Sequence, residues 1–221
     1  MPHLLQEVLK GGALRMALMI SLGGSGGWAL AQGDPVLGRT LAEDERCIEC
    51  HGADGKGWVH ASASAAESKF PKLAGQLQAY LLKQFDDFRQ GLRKDDQMAM
   101  MARSVDPEDA RHIAAFFASL PGMGGEGGTA SPAGKRLYEQ GDPARGIVAC
   151  ASCHGPTGKG RPGDALTPVL GGQSWRYLEK QLRDWRSGHR RNGRPEALMN
   201  VVTKSLSDAE IEALATHMAG L

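Results

Sequence analysis

The chain has 221 residues, and its 26 lysine and arginine residues nearly balance its 25 aspartate and glutamate residues, for a formal net charge of +1. Nucleic-acid-binding domains usually present a strongly basic face, so this balance argues against a nucleic-acid partner. Aromatic residues make up only 5% of the chain, so one or two small domains would have few large side chains with which to build a core.

The first 31 residues have the features of an export signal. Lys10 and Arg15 give a positive start, the apolar stretch 16–22 follows, and Ala29 and Ala31 suit a signal peptidase. We predict that residues 1–31 are a signal peptide, with an uncleaved anchor as the alternative. The apolar stretch is short for a membrane-spanning helix, and no second apolar run follows it, so the mature protein is expected to be soluble or loosely associated with a membrane.

A short motif occurs twice and uses every cysteine of the chain. Residues 47–51 read Cys-Ile-Glu-Cys-His, and residues 150–154 read Cys-Ala-Ser-Cys-His. Cys-x-x-Cys-His is the attachment motif of c-type haem: the thiols bond to the haem vinyl groups, and the adjacent histidine ligates the iron. The motifs therefore predict two covalently bound haem c groups. The attachment residues are Cys47, Cys50, Cys150 and Cys153, and the iron ligands are His51 and His154.

Other uses of paired cysteines explain less of the pattern. A four-cysteine zinc site would not need a histidine after each pair, and its pairs are usually closer in sequence. Structural disulfides would leave both histidines unexplained, and a thioredoxin-like motif needs a strand-helix alternation that is not evident. Covalent haem attachment in bacteria takes place outside the cytoplasmic membrane. The motifs thus agree with the export signal and predict a periplasmic protein.

The chain also repeats itself outside the two motifs. Residues 70–76 match 167–173, residues 80–85 match 177–182, and residues 87–91 match 184–188, all at an offset of 97, whereas the motifs are offset by 103. The glycine-rich stretch 123–132 lies between the halves and predicts a linker. We therefore predict one domain at residues 32–122 and a second at residues 133–221.

Each half has the apolar spacing of helices and no alternating strand pattern. A middle helix is predicted over residues 76–90, ending at Gly91, and its counterpart over residues 174–187, ending at Gly188. Closing helices follow: the first begins at Asp106 with a proline in the first helical position, and the second begins at Ser207 with a capping box. The prediction is an all-α fold of two tandem domains, each wrapped around one haem.

Two methionines occupy matching positions ahead of the closing helices. Met98 and Met199 each lie eight residues before the cap, which is Asp106 in the first half and Ser207 in the second. The intervening residues align without a gap, so Met98 and Met199 are the predicted distal iron ligands. The alternative is that these methionines fill the core. In the first half, two neighbours also compete for the role: Met100 and Met101.

Histidines offer a further alternative for the distal ligand. His60 and His189 fall in predicted loops, and His112 and His217 fall on the closing helices. None of them matches its counterpart as closely as the two methionines do. We therefore expect these histidines to be exposed side chains rather than iron ligands.

With these features the chain resembles the di-haem cytochromes c4 of the class I cytochrome c superfamily. The resemblance covers nearly the whole mature chain and rests on the duplicated haem motif, the repeated segments and the late methionines. It implies two small helical cytochrome domains with histidine and methionine ligands. It also implies that the carbonyls of Pro71 and Pro168 accept hydrogen bonds from the rings of His51 and His154, which would orient the rings and tune the irons.

The expected function is electron transfer rather than catalysis. By resemblance, the donor would be a quinol-oxidising complex or a dehydrogenase, and the acceptor a terminal oxidase or reductase. One alternative is a haem subunit of a larger oxidoreductase complex. A di-haem peroxidase is less favoured because it would need an open iron and polar groups for acid-base chemistry, whereas both halves place a methionine in the same position.

Overall fold

Two sets of helices follow one another along the chain. The computed structural model describes residues 33–57, 70–125, 131–161, 164, 166–192 and 198–221. Within these segments the β pairing is limited to an isolated bridge between Asp142 and Ile147. The all-α prediction is therefore confirmed, whereas the predicted signal peptide and His60 lie outside the described residues.

The two halves contain the same helices in the same order. The first half has α1 (Pro35–Asp44), α2 (Ile48–His51), α3 (Gln78–Arg89), α4 (Asp96–Ser104) and α5 (Pro107–Ser119). The second half has α6 (Pro132–Gln140), α7 (Ala151–His154), α8 (Trp175–Ser187), α9 (Leu198–Thr203) and α10 (Asp208–Ala219), with a 3₁₀ turn at Pro143–Arg145. Each half therefore contains a first, a motif, a middle, a methionine-bearing and a closing helix.

The first helix of each half begins with a proline and a side-chain cap. Asp34 accepts hydrogen bonds from the backbone N–H groups of Val36 and Leu37, and Ser131 accepts one from that of Gly134. These bonds satisfy N–H groups that have no partner within the helix. The capping box predicted at the start of α10 is also present, since Ser207 and Glu210 exchange hydrogen bonds.

The first and closing helices of each half cross in close contact. A Cβ added to Gly38 on α1 would lie 1.9 Å from the carbonyl oxygen of His112 on α5. A Cβ added to Gly134 on α6 would lie 2.0 Å from the carbonyl oxygen of Ala213 on α10. Only glycine permits this approach, which brings the helices together over a separate apolar core in each half.

The closing-helix histidines differ from the expectation that they are exposed. His112 is half-buried, and its Nδ1 accepts a 2.8 Å hydrogen bond from the backbone N–H of Asp34. His217 is also half-buried, with its ring 5.3 Å from the ring of Tyr138. Both histidines therefore contact the first helix of their own half, which gives them a packing role.

The halves meet through buried polar side chains. Arg93 donates hydrogen bonds to Gln84 in its own half and to Tyr177 and Gln181 in the other half. Arg190 makes the reverse pattern, because it donates to Gln181 and to Gln84. Both arginines are less than 10% exposed. The start of the predicted linker is packed as well, since Met123 is only 9% exposed.

We predict that Gly134→Ala destabilises the second half. The added methyl group would overlap the Ala213 carbonyl and force α6 away from α10, at a cost of about 1–3 kcal/mol. Thermal unfolding of the haem-loaded protein measures the effect. Gly124→Ala is the matched control because its Cβ would enter open space. Equal unfolding temperatures for the two variants would contradict the tight crossing.

Candidate haem sites

Each cysteine pair lies on a single helical turn. Cys47 immediately precedes α2 and Cys150 immediately precedes α7, with helical backbone angles, so that the two thiols of each motif are presented by one turn. All four thiols are free. Burial raises the pKa of the Cys47 and Cys150 thiols to about 11, so both are neutral in the folded polypeptide at pH 7.

The histidine of each motif is buried and anchored. His51 is 6% exposed, and its Nδ1 lies 2.9 Å from the carbonyl oxygen of Pro71, to which it donates. His154 is 7% exposed and donates from Nδ1 to the carbonyl oxygen of Pro168, at 3.1 Å. Burial lowers the pKa of both imidazoles, which keeps them neutral. With the proton on Nδ1, the lone pair of Nε2 is available to a metal.

In each half, a backbone hydrogen bond of the same kind joins the loop after the haem motif to the segment that contains the proline. The carbonyl of Gly55 accepts from the backbone N–H of Ala74, at 3.0 Å, and the carbonyl of Gly158 accepts from that of Gly171, at 3.1 Å. Both accepting glycines have a positive φ, of 68° in each case, which favours glycine at these turns. The position of the proline carbonyl is therefore set by the loop after the motif.

Matching arginines of the middle helices bond to the chain after each of the two methionines. Arg89, the last residue of α3, donates to the carbonyl oxygens of Ala102 and Val105 at the end of α4. Arg186, near the end of α8, donates to the carbonyl oxygen of Leu206 at 2.8 Å. In the sequence these arginines are visible only as part of the repeat. Their role requires the positions of carbonyl groups 13 to 20 residues further along the chain.

The predicted distal ligands lie on the helices that lead to these carbonyl groups. Met98 is on α4 and Met199 is on α9, and both are half-buried. Met100, which competed with Met98 in the sequence, is 59% exposed. Its counterpart in the second half, Val201, is 67% exposed. These exposures place position 100 and its counterpart on the outer face of the two helices.

The residues around each motif suit a porphyrin. In the first half, Leu73, Leu81 and Phe85 pack against the core but are only partly buried, as is Cys47. In the second half, Leu170 and Trp175 are placed similarly. These side chains offer partly exposed apolar surface around the same core as the first cysteine of each motif. Across the described segments, no three His, Cys, Asp or Glu residues are grouped to hold a metal ion, so the cysteine pairs do not assemble a four-cysteine site.

The comparisons with known proteins agree with this geometry. The sequence profile of the cytochrome c family matches residues 35–121 and again residues 131–221. Cytochrome c4 of Pseudomonas aeruginosa is 37% identical over 211 residues, which cover 94% of this chain and 98% of that protein. The chain belongs to the cytochrome c4 family. A crystal structure of reduced recombinant cytochrome c4 from Pseudomonas stutzeri matches with a TM-score of 0.75 and 35% identity, covering 86% of this chain and 99% of that one.

A second kind of relative also matches. A thiosulfate dehydrogenase electron acceptor of Stutzerimonas stutzeri is 37% identical over 179 residues, which cover 79% of this chain and 78% of that protein. Membership of the cytochrome c4 family confirms that the chain carries two covalently bound haem c groups. It also confirms an electron carrier rather than an enzyme. Among the described residues, no helix has the length and apolar character needed to cross a membrane.

We predict that Cys153→Ala leaves the second haem with one thioether bond. One vinyl group of that haem would stay unsaturated, so half of the pyridine haemochrome absorption should shift to longer wavelength. Cys50→Ala is the matched variant for the first domain and should give the same spectrum. A spectrum identical to that of the wild type would contradict attachment at these cysteines.

Proposed function

We propose that the protein is an exported, periplasmic electron carrier with both axial positions filled at each iron. Its donor would be a quinol-oxidising complex or a dehydrogenase, and its acceptor a terminal oxidase or reductase. One observation carries the proposal: in both halves a buried histidine, with Nδ1 bonded to a proline carbonyl, occurs together with a methionine that is followed by a carbonyl bonded to an arginine of the middle helix. The two halves thus share one arrangement, and neither is distinguished as a substrate-binding domain.

The assignments follow the repeat. His51 and Met98 would ligate the first iron, and His154 and Met199 the second. We assign the first domain to residues 32–122, the second to residues 133–221, and the linker to residues 123–132. Residues 1–31 would be removed as a signal peptide during export. The ranges matched by the cytochrome c profile, 35–121 and 131–221, support this division of the chain.

The matching arginine contacts in the two halves favour Met98 over Met100 and Met101 as the iron ligand. Val105 and Leu206 accept hydrogen bonds from the matching arginines and lie 101 residues apart, as do Met98 and Met199. On the same offset, Met101 corresponds to a valine, which cannot ligate iron. The exposed Met100 also corresponds to a valine. Met98 is therefore the residue in the first half that has a sulfur counterpart in the second.

The chain's own residues tune the chemistry that the haems supply. When bound, a haem supplies one-electron chemistry at its iron. The hydrogen bond from each axial histidine to a proline carbonyl orients the ring and raises its basicity. A methionine thioether is a soft ligand that favours the ferrous state and raises the potential. Filling both axial positions leaves little room for substrate, which suits electron transfer.

Buried cations at the interface suit the acidic groups of a haem. Arg93 and Arg190 are 8% and 6% exposed. Their hydrogen bonds go to the neutral amide and hydroxyl groups of Gln84, Gln181 and Tyr177, among others. A buried guanidinium is stabilised by an anionic partner, so Arg93 and Arg190 would suit the propionate groups of bound haems.

The second candidate is a haem subunit of a larger oxidoreductase. It is favoured by the likeness to a thiosulfate dehydrogenase electron acceptor. The two candidates share the same redox sites and differ in whether the protein stays bound to its donor. If the donor is a dehydrogenase that oxidises an inorganic sulfur compound, it would pass single electrons to the haems in either case.

We predict that Met199→Ala opens the second iron. The soft sulfur ligand would be lost, so the potential of that haem should fall, one carbon monoxide should bind per chain, and half of the methionine-to-ferric-iron charge-transfer band should disappear. Met100→Ala is the matched control because its side chain is exposed. A low-spin Met199→Ala protein with unchanged potential would show that Met199 is not the ligand.

The donor class is tested by mixing the oxidised protein with a thiosulfate dehydrogenase and thiosulfate. Reduction of both haems, followed by stopped-flow absorbance, is the expected result if the donor is of this class. Thiosulfate without the dehydrogenase is the control. Size-exclusion chromatography of the same mixture separates the candidates, because a carrier elutes alone and a subunit co-elutes. Failure of the dehydrogenase to reduce the haems would rule out this donor class.

A further inference from the structure

Two buried glutamines at matching positions each form hydrogen bonds with the opposite domain. Gln76 and Gln173 close the repeated segments that contain Pro71 and Pro168, and they are 4% and 3% exposed. Neither is needed to attach a haem or to ligate an iron. Each glutamine is nevertheless hydrogen-bonded to a peptide group that also bonds to an axial histidine.

In the first domain the contact is with the residue after the proline. The backbone N–H of Lys72 donates to Oε1 of Gln173 at 2.8 Å, and Nε2 of Gln173 donates to the Lys72 carbonyl, also at 2.8 Å. The peptide group that joins Pro71 to Lys72 therefore has two partners. Its carbonyl accepts from Nδ1 of His51, and its N–H donates to a side chain of the second domain.

The second domain has the same arrangement in reverse. The backbone N–H of Val169 donates to Oε1 of Gln76 at 2.9 Å, and Nε2 of Gln76 donates to the Val169 carbonyl at 3.0 Å. The carbonyl of the same peptide group, which belongs to Pro168, accepts from Nδ1 of His154. Each axial histidine is thus linked, through one peptide group, to a glutamine of the opposite domain.

Both glutamine amides are held in a single orientation. Oε1 of Gln173 also accepts from the backbone N–H of Ser174 at 2.9 Å, and Oε1 of Gln76 accepts from that of Leu77 at 3.0 Å. A buried amide with several hydrogen bonds does not rotate without leaving polar groups unsatisfied. The acceptor presented to the opposite domain is therefore fixed by the glutamine's own domain.

We propose that Gln76 and Gln173 are positioning residues that let each domain tune the haem of the other. An N–H that donates to a carbonyl oxygen polarises its peptide group and makes the carbonyl of that group a better acceptor. The stronger acceptor draws the proton of the axial histidine and makes the ring a more basic ligand, which stabilises ferric iron. Gln173 would thereby lower the potential of the first haem, and Gln76 that of the second. This inference rests on the proposed axial roles of His51 and His154.

The test compares Gln173→Met with Gln76→Met in the full, haem-loaded protein. Methionine keeps the length and apolar volume of the side chain but removes both cross-domain hydrogen bonds. Redox titration followed by NMR gives the potential of each haem, with its haem-methyl signals assigned by reference to the Met199→Ala protein. Gln173→Met should raise the first haem's potential more than the second's, and Gln76→Met should do the reverse.

Two further variants separate tuning from loss of the interface. Gln181→Met removes another buried interface glutamine, which bonds to Arg93 and Arg190 rather than to a proline peptide, so it should not reproduce the crossed pattern of shifts. Gln173→Glu keeps an acceptor for the Lys72 N–H and adds negative charge. It should therefore lower the first haem's potential, opposite in sign to Gln173→Met.

Particular outcomes overturn the inference. Shifts confined to the haem of the mutated domain, equal shifts in both haems for each variant, or unchanged potentials would each contradict crossed tuning. A rise in the first haem's potential with Gln173→Glu would contradict it even if Gln173→Met failed to fold. The wild-type spectrum distinguishes this failure from that of the proposed function. If both haems are low-spin with methionine bound, the carrier proposal stands and only the crossed tuning is lost.

Discussion

The hydrogen bond from the motif histidine to a proline carbonyl is the constraint on which the other features depend. It places the proton on Nδ1 and leaves the lone pair of Nε2 available to a metal, in a site where burial already keeps the ring neutral. The proline carbonyl is held by the loop after the motif, so the motif, the loop and the proline segment act as one unit. An arginine of the middle helix also bonds to the chain that follows each methionine, at Val105 and at Leu206.

Duplication of this unit produces an interface in which like elements face each other. The glutamines, arginines and tyrosines that meet there occupy equivalent places in the two domains. Lys72 breaks the symmetry, since its side chain donates to the Gly172 carbonyl at 2.8 Å, whereas its counterpart is Val169. The two haems therefore have nearly identical arrangements of surrounding helices but unequal electrostatic surroundings. A difference between their reduction potentials is expected.

The features that could be predicted from the sequence are those marked by residues close together in the chain. The haem motifs, the middle helices, the closing helices and the capping box at Ser207 are each marked by residues within a few positions. The first helices, α1 and α6, were not predicted. Their clearest marks are a proline after a capping residue and a glycine, Gly38 or Gly134, whose role becomes evident only when the partner helix is in place. The burial of the closing-helix histidines was not predicted either, because it depends on their contacts with the first helices.

The cross-domain contacts were beyond sequence reasoning because they join residues about 100 positions apart. Gln76 and Gln173 were visible as the last residues of a repeated segment, yet repetition alone does not separate a buried hydrogen-bonding role from a surface one. The resemblance to cytochromes c4 supplied the proline carbonyls as acceptors. The structure adds the second partner of the same peptide groups.

The central claim is that each of two equivalent domains binds one covalent haem with histidine and methionine ligands. It is tested most directly by the absorption spectrum of protein exported with haem-maturation machinery, together with a haem count after alkaline pyridine treatment. The expected result is two covalent haems per chain, both low-spin, with the methionine-to-ferric-iron charge-transfer band at full intensity. A high-spin component from one haem, or fewer than two covalent haems, would contradict it.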